Sequence, residues 1–355
     1  MSGLRSAQAA IAGALFSLLL GTVLQIANLR SMSEPAAILR VGVTSSVRPT
    51  IEAELGPVPL AAGDGHDGQF FFVSARDPLA LNDQWTTSYR SYRHRRIAYP
   101  LVAGLGGMLS PDATVIGLAV VPILGLTLAA AAAVLLARSE QREIAVAAVL
   151  ANPGLWLSAS LAIGDAIALG AGLAGLASLR HGRLRTAIGL LVVAAFAKET
   201  YLTFAFASAA WLVTRRRNGA AIAALGIPTA LMGAWLIWLN SRIAADGLGL
   251  AAFDWPFVGV LEAAHGWSGG SLALIIVTLS GLLIGVVGAA RSSSTLLRLT
   301  LAPWILIAAV SSETVWRDGN NATRVLAPLL TVGILSLVAA RDDQVDSTSR
   351  RNLPV

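Results

Sequence analysis

The chain is dominated by apolar runs that recur from the N-terminus almost to Arg341. Many are close to the roughly 20 residues that a helix needs to cross a hydrocarbon core of about 30 Å. The runs are continuous rather than alternating, which argues against a transmembrane β-barrel. Only 13% of the residues are charged and the mean hydropathy is +0.69, so lipid is the expected solvent. The sequence therefore predicts an all-α polytopic membrane protein.

About ten apolar segments are candidates for transmembrane helices. They are Ala7–Leu29, Ala113–Ala137, Ile144–Ala162, Ala166–Leu179, Ala187–Ala197, Tyr201–Val213, Ala220–Leu239, Ser271–Ala290, Leu297–Val310 and Val325–Ala340. The first segment has some features of a signal peptide, but it is too long and no small-residue cleavage site follows it. We therefore expect it to be retained as the first helix.

The cationic residues separate the apolar runs instead of forming one block, which favours a membrane topology over a nucleic-acid partner. With ten crossings, the short arginine-bearing connections all fall on one side, which the positive-inside rule identifies as the cytoplasm. That side carries 14 of the 26 cations, whereas the other side carries 15 of the 20 acidic residues. We expect a multi-pass protein of the cell membrane with both termini in the cytoplasm and most acidic residues outside.

Two regions do not have a clear number of crossings. Ile144–Leu179 and Ala187–Val213 could each be one tilted helix or two short helices that meet near the outer face. Single crossings would leave Arg183 outside and would bury Lys198 and Glu199 at mid-bilayer depth, which is costly. We therefore expect paired short helices, with eight crossings in total as the alternative.

The domain organisation follows from the same pattern. Residues 1–340 are expected to form a single transmembrane domain with a large first outer loop, residues 30–112. This loop is too short and too polar to be a separate domain with a large core. Its apolar end, Ile97–Ser110, is expected to be a helix at the outer interface, because counting it as a crossing would reverse every later cationic loop. Residues 341–355 are expected to be a disordered cytoplasmic tail.

The first outer loop places two carboxylates and a histidine among glycines, in the run Gly63-Asp64-Gly65-His66-Asp67-Gly68-Gln69. Glycine neighbours let a carboxylate approach a substrate closely, so Asp67 is a candidate general base with Asp64 or His66 as helper. The same three residues could hold a divalent metal ion. An ordinary glycine and aspartate turn is the structural alternative.

Further along this loop, four arginines on the outer side oppose the positive-inside rule. They are Arg90, Arg93, Arg95 and Arg96. A phosphate or diphosphate at the outer leaflet would explain them, because arginine binds such oxygens bidentately. Binding to ordinary anionic lipid is the alternative.

Three ionisable residues interrupt apolar sequence, and such residues are functional candidates. Lys198 could pair with a substrate phosphate while Glu199 orients it, or the two could form a structural ion pair between short helices. Asp165 lies at the same predicted depth, and a helix N-cap is the favoured interpretation. The late outer loops add polar and aromatic residues, among them Trp316, Asp318, Asn320, Asn321 and Arg324. For the aromatic residues, which stack well on sugar faces, an interfacial belt is the alternative.

These motifs resemble the GT-C superfamily, membrane glycosyltransferases that use polyprenyl-phosphate sugars. The resemblance is carried by His66–Phe71, Tyr92–Pro100, Asn152-Pro153 with Gly164-Asp165, and Ala197–Thr200, within the first two thirds of the chain. It implies a catalytic carboxylate in the first outer loop, which maps onto Asp67, with interfacial helices in that loop and broken helices around the site. Many members carry Asp-x-Asp or Glu-x-Asp, whereas here Asp64 and Asp67 are three apart. The chain shows no appended soluble outer domain, so acceptor recognition is unassigned.

The resemblance implies an inverting transfer of a sugar from a polyprenyl-phosphate donor to a hydroxyl of an envelope glycan or glycolipid at the extracytoplasmic face. The expected catalytic residues are Asp67, Asp64 and Glu199. The expected substrate-binding residues are His66, Gln69, Arg93, Arg95, Arg96, Tyr99, Asp165, Lys198 and Arg324. No cofactor is required, although a divalent metal is compatible with this chemistry. A transporter or flippase of a lipid-linked or anionic substrate, and a non-catalytic envelope assembly protein, are the alternatives.

Overall fold

The fold is described by a computed structural model that covers residues 2–82, 90–105, 107–243, 252–339 and 342. Short 3₁₀ turns and one parallel pair of two-residue strands, β1 (Val41–Gly42) and β2 (Leu60–Ala61), accompany the α-helices. The helices are α1 (Ser2–Arg30), α2 (Arg48–Leu55), α3 (Gly68–Arg76), α4 (Arg90–His94), α5 (Ala98–Ala103), α6 (Pro111–Leu136), α7 (Arg142–Leu150), α8 (Pro153–Ser160), α9 (Asp165–Arg180), α10 (Leu184–Ala197), α11 (Leu202–Thr214), α12 (Asn218–Arg242), α13 (Val258–Ala263), α14 (Gly269–Arg291), α15 (Thr295–Val310), α16 (Glu313–Trp316), α17 (Gly319–Val325) and α18 (Ala327–Val338). The described chain is therefore mainly helical, as predicted.

Within the residues that the structure describes, four helices are long and apolar enough to cross a membrane, namely α1, α6, α12 and α14. The number rises to six if the bent pairs α7 with α8 and α17 with α18 each count as one span. Helices α9, α10, α11 and α15 contain only 13 to 16 residues. At about 1.5 Å per residue they are shorter than a hydrocarbon core. The described part of the chain is thus consistent with a helical membrane protein that has four to six candidate spans.

The expected continuous helix Ile144–Ala162 is wrong, because the chain bends by 46° between α7 and α8. Pro153 cannot donate to the preceding turn and disfavours helical geometry at Asn152, which adopts a ψ of 106°. The Asn152 side chain then accepts a hydrogen bond from Gly154 N at 3.0 Å and so caps α8. The proline and its cap therefore fix the position of the break.

The expected helix Val325–Ala340 corresponds to α18, which spans Ala327–Val338. Helix α17 begins earlier, at Gly319, and α18 follows it after Leu326 with a bend of 45°. Pro328 lies in the first turn of α18, where its missing N–H costs nothing, but it cannot continue the helix that precedes it. The bend separates α17, which carries Arg324, from the longer apolar helix.

The two ambiguous regions are built from short helices, as expected. Helices α8 and α9 are separated at residues 161–164, and α10 and α11 are separated by Lys198 and the 3₁₀ turn Glu199–Tyr201. The four ends come together, since Ala197 O lies 3.3 Å from where a Cβ on Gly164 would be. Two chain breaks thus meet in the interior of the bundle.

The loop between α1 and α6 has a small core of its own, which packs onto α6. Its largest fully buried members are Ile38, Leu39, Phe71, Phe72 and Tyr99. A larger core fills the space among the remaining helices. The candidate site described below lies where the loop core meets the broken helices.

The helix expected over Ile97–Ser110 is wrong in length, because α5 ends at Ala103. The chain then turns at Gly104, and Leu105 and Gly107 adopt positive φ values of 45° and 87°, which are incompatible with a continuing helix. Most of α5 is buried against the loop core rather than exposed.

The expected tail lies outside the described residues except for Asp342. This residue is buried, and its carboxylate accepts hydrogen bonds from Ser294 Oγ at 2.7 Å and Trp211 Nε1 at 3.0 Å. It therefore ties the end of the described chain to α11 and α15.

Candidate functional site

The segment that carries Asp67 is held rigidly against β1. Gly65 has a φ of +74°, and a Cβ there would overlap the carbonyl oxygen of Arg40, so only glycine fits. His66 N donates to Arg40 O at 3.0 Å. The Gln69 amide donates to Asp64 O at 2.6 Å and accepts from Gly42 N at 3.3 Å, which closes the turn from inside. Asp67 is therefore presented at a fixed position just before α3.

The Asp67 carboxylate faces two arginines from distant parts of the chain. Asp67 is the N-cap residue of α3, but its side chain makes no capping hydrogen bond. Instead Arg93 Nε donates to Asp67 Oδ1 at 2.9 Å, and Arg324 Nη1 lies 3.6 Å from Oδ2. The Arg93 guanidinium also lies 3.9 Å from the centroid of the Phe70 ring. Aromatic stacking of this kind fixes the plane of the guanidinium.

Arg324 connects Asp67 to a second carboxylate. Its Nε lies 3.6 Å from Asp165 Oδ2, and its Nη2 donates to Asn321 Oδ1 at 3.0 Å. Gly154 permits this arrangement, because any side chain there would overlap the carbonyl oxygen of Thr323 in α17. Close packing of α8 on α17 thus places Arg324 between the two acids.

Asp165 and Lys198 form a buried ion pair. Lys198 Nζ lies 2.5 Å from Asp165 Oδ1, with side chains 5% and 1% exposed. The N-cap interpretation of Asp165 is wrong, because Gly164 occupies the cap position of α9 and no side-chain cap bond forms. Desolvation is costly for both groups, so pairing is what allows them to be buried.

Glu199 pairs with Arg96 rather than with its neighbour Lys198. Arg96 Nε and Nη2 donate to the two Glu199 oxygens at 3.0 and 2.9 Å, a bidentate geometry. Tyr92 supports the same guanidinium through its hydroxyl at 2.5 Å and its ring at 4.6 Å. The alternative of a structural Lys198–Glu199 ion pair is wrong, because Lys198 is extended and successive side chains of extended backbone point to opposite sides.

Together these contacts form one charged cluster, which we define as Asp67, Arg93, Arg96, Asp165, Lys198, Glu199 and Arg324. The cluster has four cations and three carboxylates, and therefore an excess positive charge. Burial alone would raise the pKa of Asp67, but Arg324, Arg93 and Arg96 outweigh this effect and lower the pKa from 3.8 to about 2. The Asp67 carboxylate is therefore ionised throughout the physiological range.

A polar cavity of about 200 Å³ opens beside Asp67. It is lined by Gly65, His66, Asp67, Leu161, Ile163, Asp318, Asn320, Asn321 and Arg324. Its wall is formed by the loop between α1 and α6, by the break before α9 and by the residues around the start of α17. A molecule in this cavity would contact Asp67 and Arg324 directly.

Several residues that the sequence singled out lie around the cluster rather than in it. Tyr99 is fully buried and donates its hydroxyl hydrogen to Leu118 O at 2.6 Å, which anchors α5 to α6. Asp64 is exposed and accepts from Thr44 Oγ1 at 2.6 Å. The Arg95 guanidinium lies 5.9 Å from the Tyr92 ring centroid. Gln69, described above, supports the loop through both ends of its amide.

In the described part of the chain, no group of three or more histidine, cysteine or acidic side chains is arranged to hold a metal ion. Asp64, His66 and Asp67 are therefore not gathered into such a site. Asp67 is instead surrounded by arginine.

Sequence reasoning did not assign roles to His94, Asp318 or Asn320. His94 is fully buried, with Ser74 Oγ 3.1 Å from Nδ1 and Pro78 O 3.1 Å from Nε2. These contacts fix the segment that carries Arg93, Arg95 and Arg96. Its position within an arginine cluster gave no signal of burial. Asp318 and Asn320 stood out only as polar residues of a late loop, and nothing local linked them to Asp67.

Comparison of the chain with models of protein families, with curated proteins and with solved structures found no match.

Proposed function

We propose that the protein is an inverting GT-C-type glycosyltransferase that moves a sugar from a polyprenyl-phosphate donor to an acceptor hydroxyl at the extracytoplasmic face. The observation that carries the proposal is the charged cluster beside the polar cavity. It combines a fixed, ionised carboxylate with an excess of arginine and lysine. Such a combination suits removal of a proton at one end of a reaction and stabilisation of a departing phosphate at the other.

Asp67 acts as the general base. The acceptor oxygen attacks the anomeric carbon and passes its proton to the Asp67 carboxylate. The bond between that carbon and the phosphate oxygen breaks, and the phosphate leaves with the electron pair. Attack opposite the departing oxygen inverts the anomeric centre.

Arginine and lysine stabilise the leaving group. Arg93 and Arg324 contact Asp67 in the free protein, and both can turn part of their hydrogen-bonding capacity to an arriving phosphate. Lys198 and Arg96 are held by their own carboxylate partners and supply further positive charge nearby. Negative charge grows on the phosphate as the bond breaks, so these fixed cations favour the transition state over the ground state.

The pH dependence of this reaction follows from the environment of Asp67. A phosphate that binds next to Asp67 adds negative charge and draws on Arg93 and Arg324, so the pKa of Asp67 rises on donor binding from its value of about 2. The pH profile of kcat/KM reports the pKa of Asp67 in the free enzyme, whereas the profile of kcat reports its pKa in the bound complex. We therefore expect the acid limb of kcat to lie at higher pH than the acid limb of kcat/KM. Measuring both profiles tests this. Identical acid limbs near pH 6 would contradict it.

The lowered pKa of Asp67 also makes the stability of the fold depend on pH. Because the folded pKa is lowered, the stability contributed by Asp67 is complete above its ordinary pKa of 3.8 and is lost as the pH falls toward 2.

The topology that accompanies the proposal has about ten crossings, with both termini in the cytoplasm and the charged cluster on the outer side. The chain has no cysteine, so single cysteines can be introduced for labelling. In intact cells, a membrane-impermeant maleimide should label Glu54→Cys but not Arg217→Cys or Arg183→Cys. Labelling of Arg183→Cys without permeabilisation would support the alternative with fewer crossings, because Arg183 changes sides between the two topologies.

The decisive experiment on function uses purified protein in a lipid bilayer with a panel of labelled polyprenyl-phosphate sugars and mixed envelope glycans and glycolipids. Transfer of label to the acceptor supports the proposal. The transporter hypothesis is supported instead if no donor in the panel is consumed and vesicles containing the protein translocate a lipid-linked or anionic substrate. A non-catalytic assembly protein would give neither result.

A further inference from the structure

We propose that the cavity beside Asp67 binds one neutral sugar ring of the acceptor, and that Asp318 and Asn320 recognise its hydroxyl groups. This inference rests on the proposed function for the role of the ring as acceptor, although binding itself can be measured without any transfer. It assigns acceptor recognition to residues around the start of α17.

The size of the cavity favours a single ring. Its volume is about 200 Å³. Pockets for drug-sized ligands range from about 300 to 1,000 Å³, so this cavity is smaller than those that enclose several rings. It also adjoins Asp67, where the acceptor hydroxyl must lie for its proton to be taken.

The charges that line the cavity favour a neutral ligand. Asp67 and Asp318 contribute two carboxylates, whereas Arg324 is the one arginine or lysine in the lining. Arg93, Arg96 and Lys198 belong to the charged cluster but do not line the cavity. An anionic group is therefore better accommodated on the cluster side, whereas the cavity offers carboxylate and amide groups suited to hydroxyls.

The walls of the cavity match the two kinds of surface that a sugar ring presents. Leu161 and Ile163 supply an apolar wall for C–H groups. His66, Asn320 and Asp318 supply polar groups on other walls, and all three side chains are exposed to solvent. A ligand with hydroxyls at its edge and an apolar face fits this lining better than a lipid alcohol.

The recognition residues are held in place before any ligand arrives. Asp318 Oδ1 accepts from the backbone and side-chain nitrogens of Asn320, both at 3.1 Å. Gly319 N donates to Ser271 Oγ of α14 at 2.9 Å. The segment is thus fixed to the bundle, which reduces the ordering cost of binding.

The test measures binding of neutral methyl hexopyranosides to the purified full-length protein by saturation-transfer NMR and calorimetry, with a methyl hexuronide as the charged comparator. We expect at least one neutral glycoside to bind and the hexuronide to bind more weakly than the neutral sugar of the same configuration. Asp318→Asn weakens the hydrogen bonds that the carboxylate accepts from sugar hydroxyls, and Asn320→Ala removes the amide. Each should weaken binding about tenfold, the order of magnitude of one hydrogen bond.

The matched control is Arg317→Gln, which removes an exposed ion pair with Glu313 at 3.0 Å on the same segment but outside the cavity lining. It should leave binding unchanged, and melting temperatures should show that all three variants fold. The inference is overturned if no neutral glycoside binds, or if Asp318→Asn and Asn320→Ala bind like the control. Transfer activity with unchanged binding in these variants would reject the inference alone, whereas sugar binding without any transfer would reject only the proposed function.

Discussion

Replacing Asp67 with asparagine should lower kcat for sugar transfer by about 10² to 10⁴-fold, the usual contribution of a general base. The amide cannot take the proton of the acceptor hydroxyl, although it is nearly the same size as the carboxylate. The KM for the donor should not rise, because Arg93 and Arg324 lose an anionic competitor for the phosphate. The measurement is steady-state transfer from a labelled polyprenyl-phosphate sugar.

A suitable control is Glu52→Gln in the same loop. Glu52 forms a partly exposed ion pair with Arg48 at 2.9 Å, and such surface pairs contribute little to stability. It should transfer sugar like the unaltered protein. If Asp67→Asn kept full activity, Asp67 would not be the base. A loss confined to donor KM would point to a role in binding instead.

The second large effect concerns the buried ion pair of Asp165 and Lys198. Replacing Asp165 should destabilise the protein more than replacing Lys198. Asp165→Asn should destabilise the protein by about 3–5 kcal/mol, because it leaves Lys198 buried without a charged partner. It also leaves the charged cluster with four cations and two carboxylates. Lys198→Met should cost less, because Asp165 keeps Arg324 at 3.6 Å and the cluster becomes neutral. The melting temperatures of the two variants in detergent show which substitution destabilises the protein more.

The double variant Asp165→Asn with Lys198→Met provides an internal check. It should be more stable than Asp165→Asn alone, because the uncompensated buried lysine is gone. Arg317→Gln, which breaks an exposed pair, should shift the melting temperature very little. Equal destabilisation by Asp165→Asn and Lys198→Met would show that excess charge in the cluster does not govern its stability.

Much of the helical architecture could be predicted from local sequence. The cores of α1, α6, α12 and α14 follow from apolar runs that lipid alone can solvate. Pairs of short helices around Gly164 and Lys198 were also expected, since charge and glycine interrupt the runs there. The helix expected over Ile144–Ala162 ran across Asn152 because hydropathy is continuous there, although Pro153 breaks it. Helix α17 was not expected, because its sequence is polar.

The charged cluster could be predicted only in part. Asp67 was a candidate because glycines flank it, and Arg93 and Arg96 because arginines on the outer side oppose the positive-inside rule. Asp165, Lys198 and Glu199 were candidates because ionisable groups in apolar sequence are costly. Their partners were not predictable. Arg324 reaches Asp67 across more than 250 residues of sequence, and no local pattern encodes that contact.

Apolar runs and isolated ionisable residues were enough to indicate a helical membrane protein and the charged groups that need an explanation, because both follow from the cost of placing each residue in water or lipid. The pairing of these charged residues, in contrast, could be read only from the three-dimensional fold. Lys198 pairs with Asp165 and Glu199 pairs with Arg96, whereas Asp318 and Asn320 line the cavity beside Asp67. Pairing depends on how helices pack and where prolines and glycines bend them, and those are properties of the whole chain.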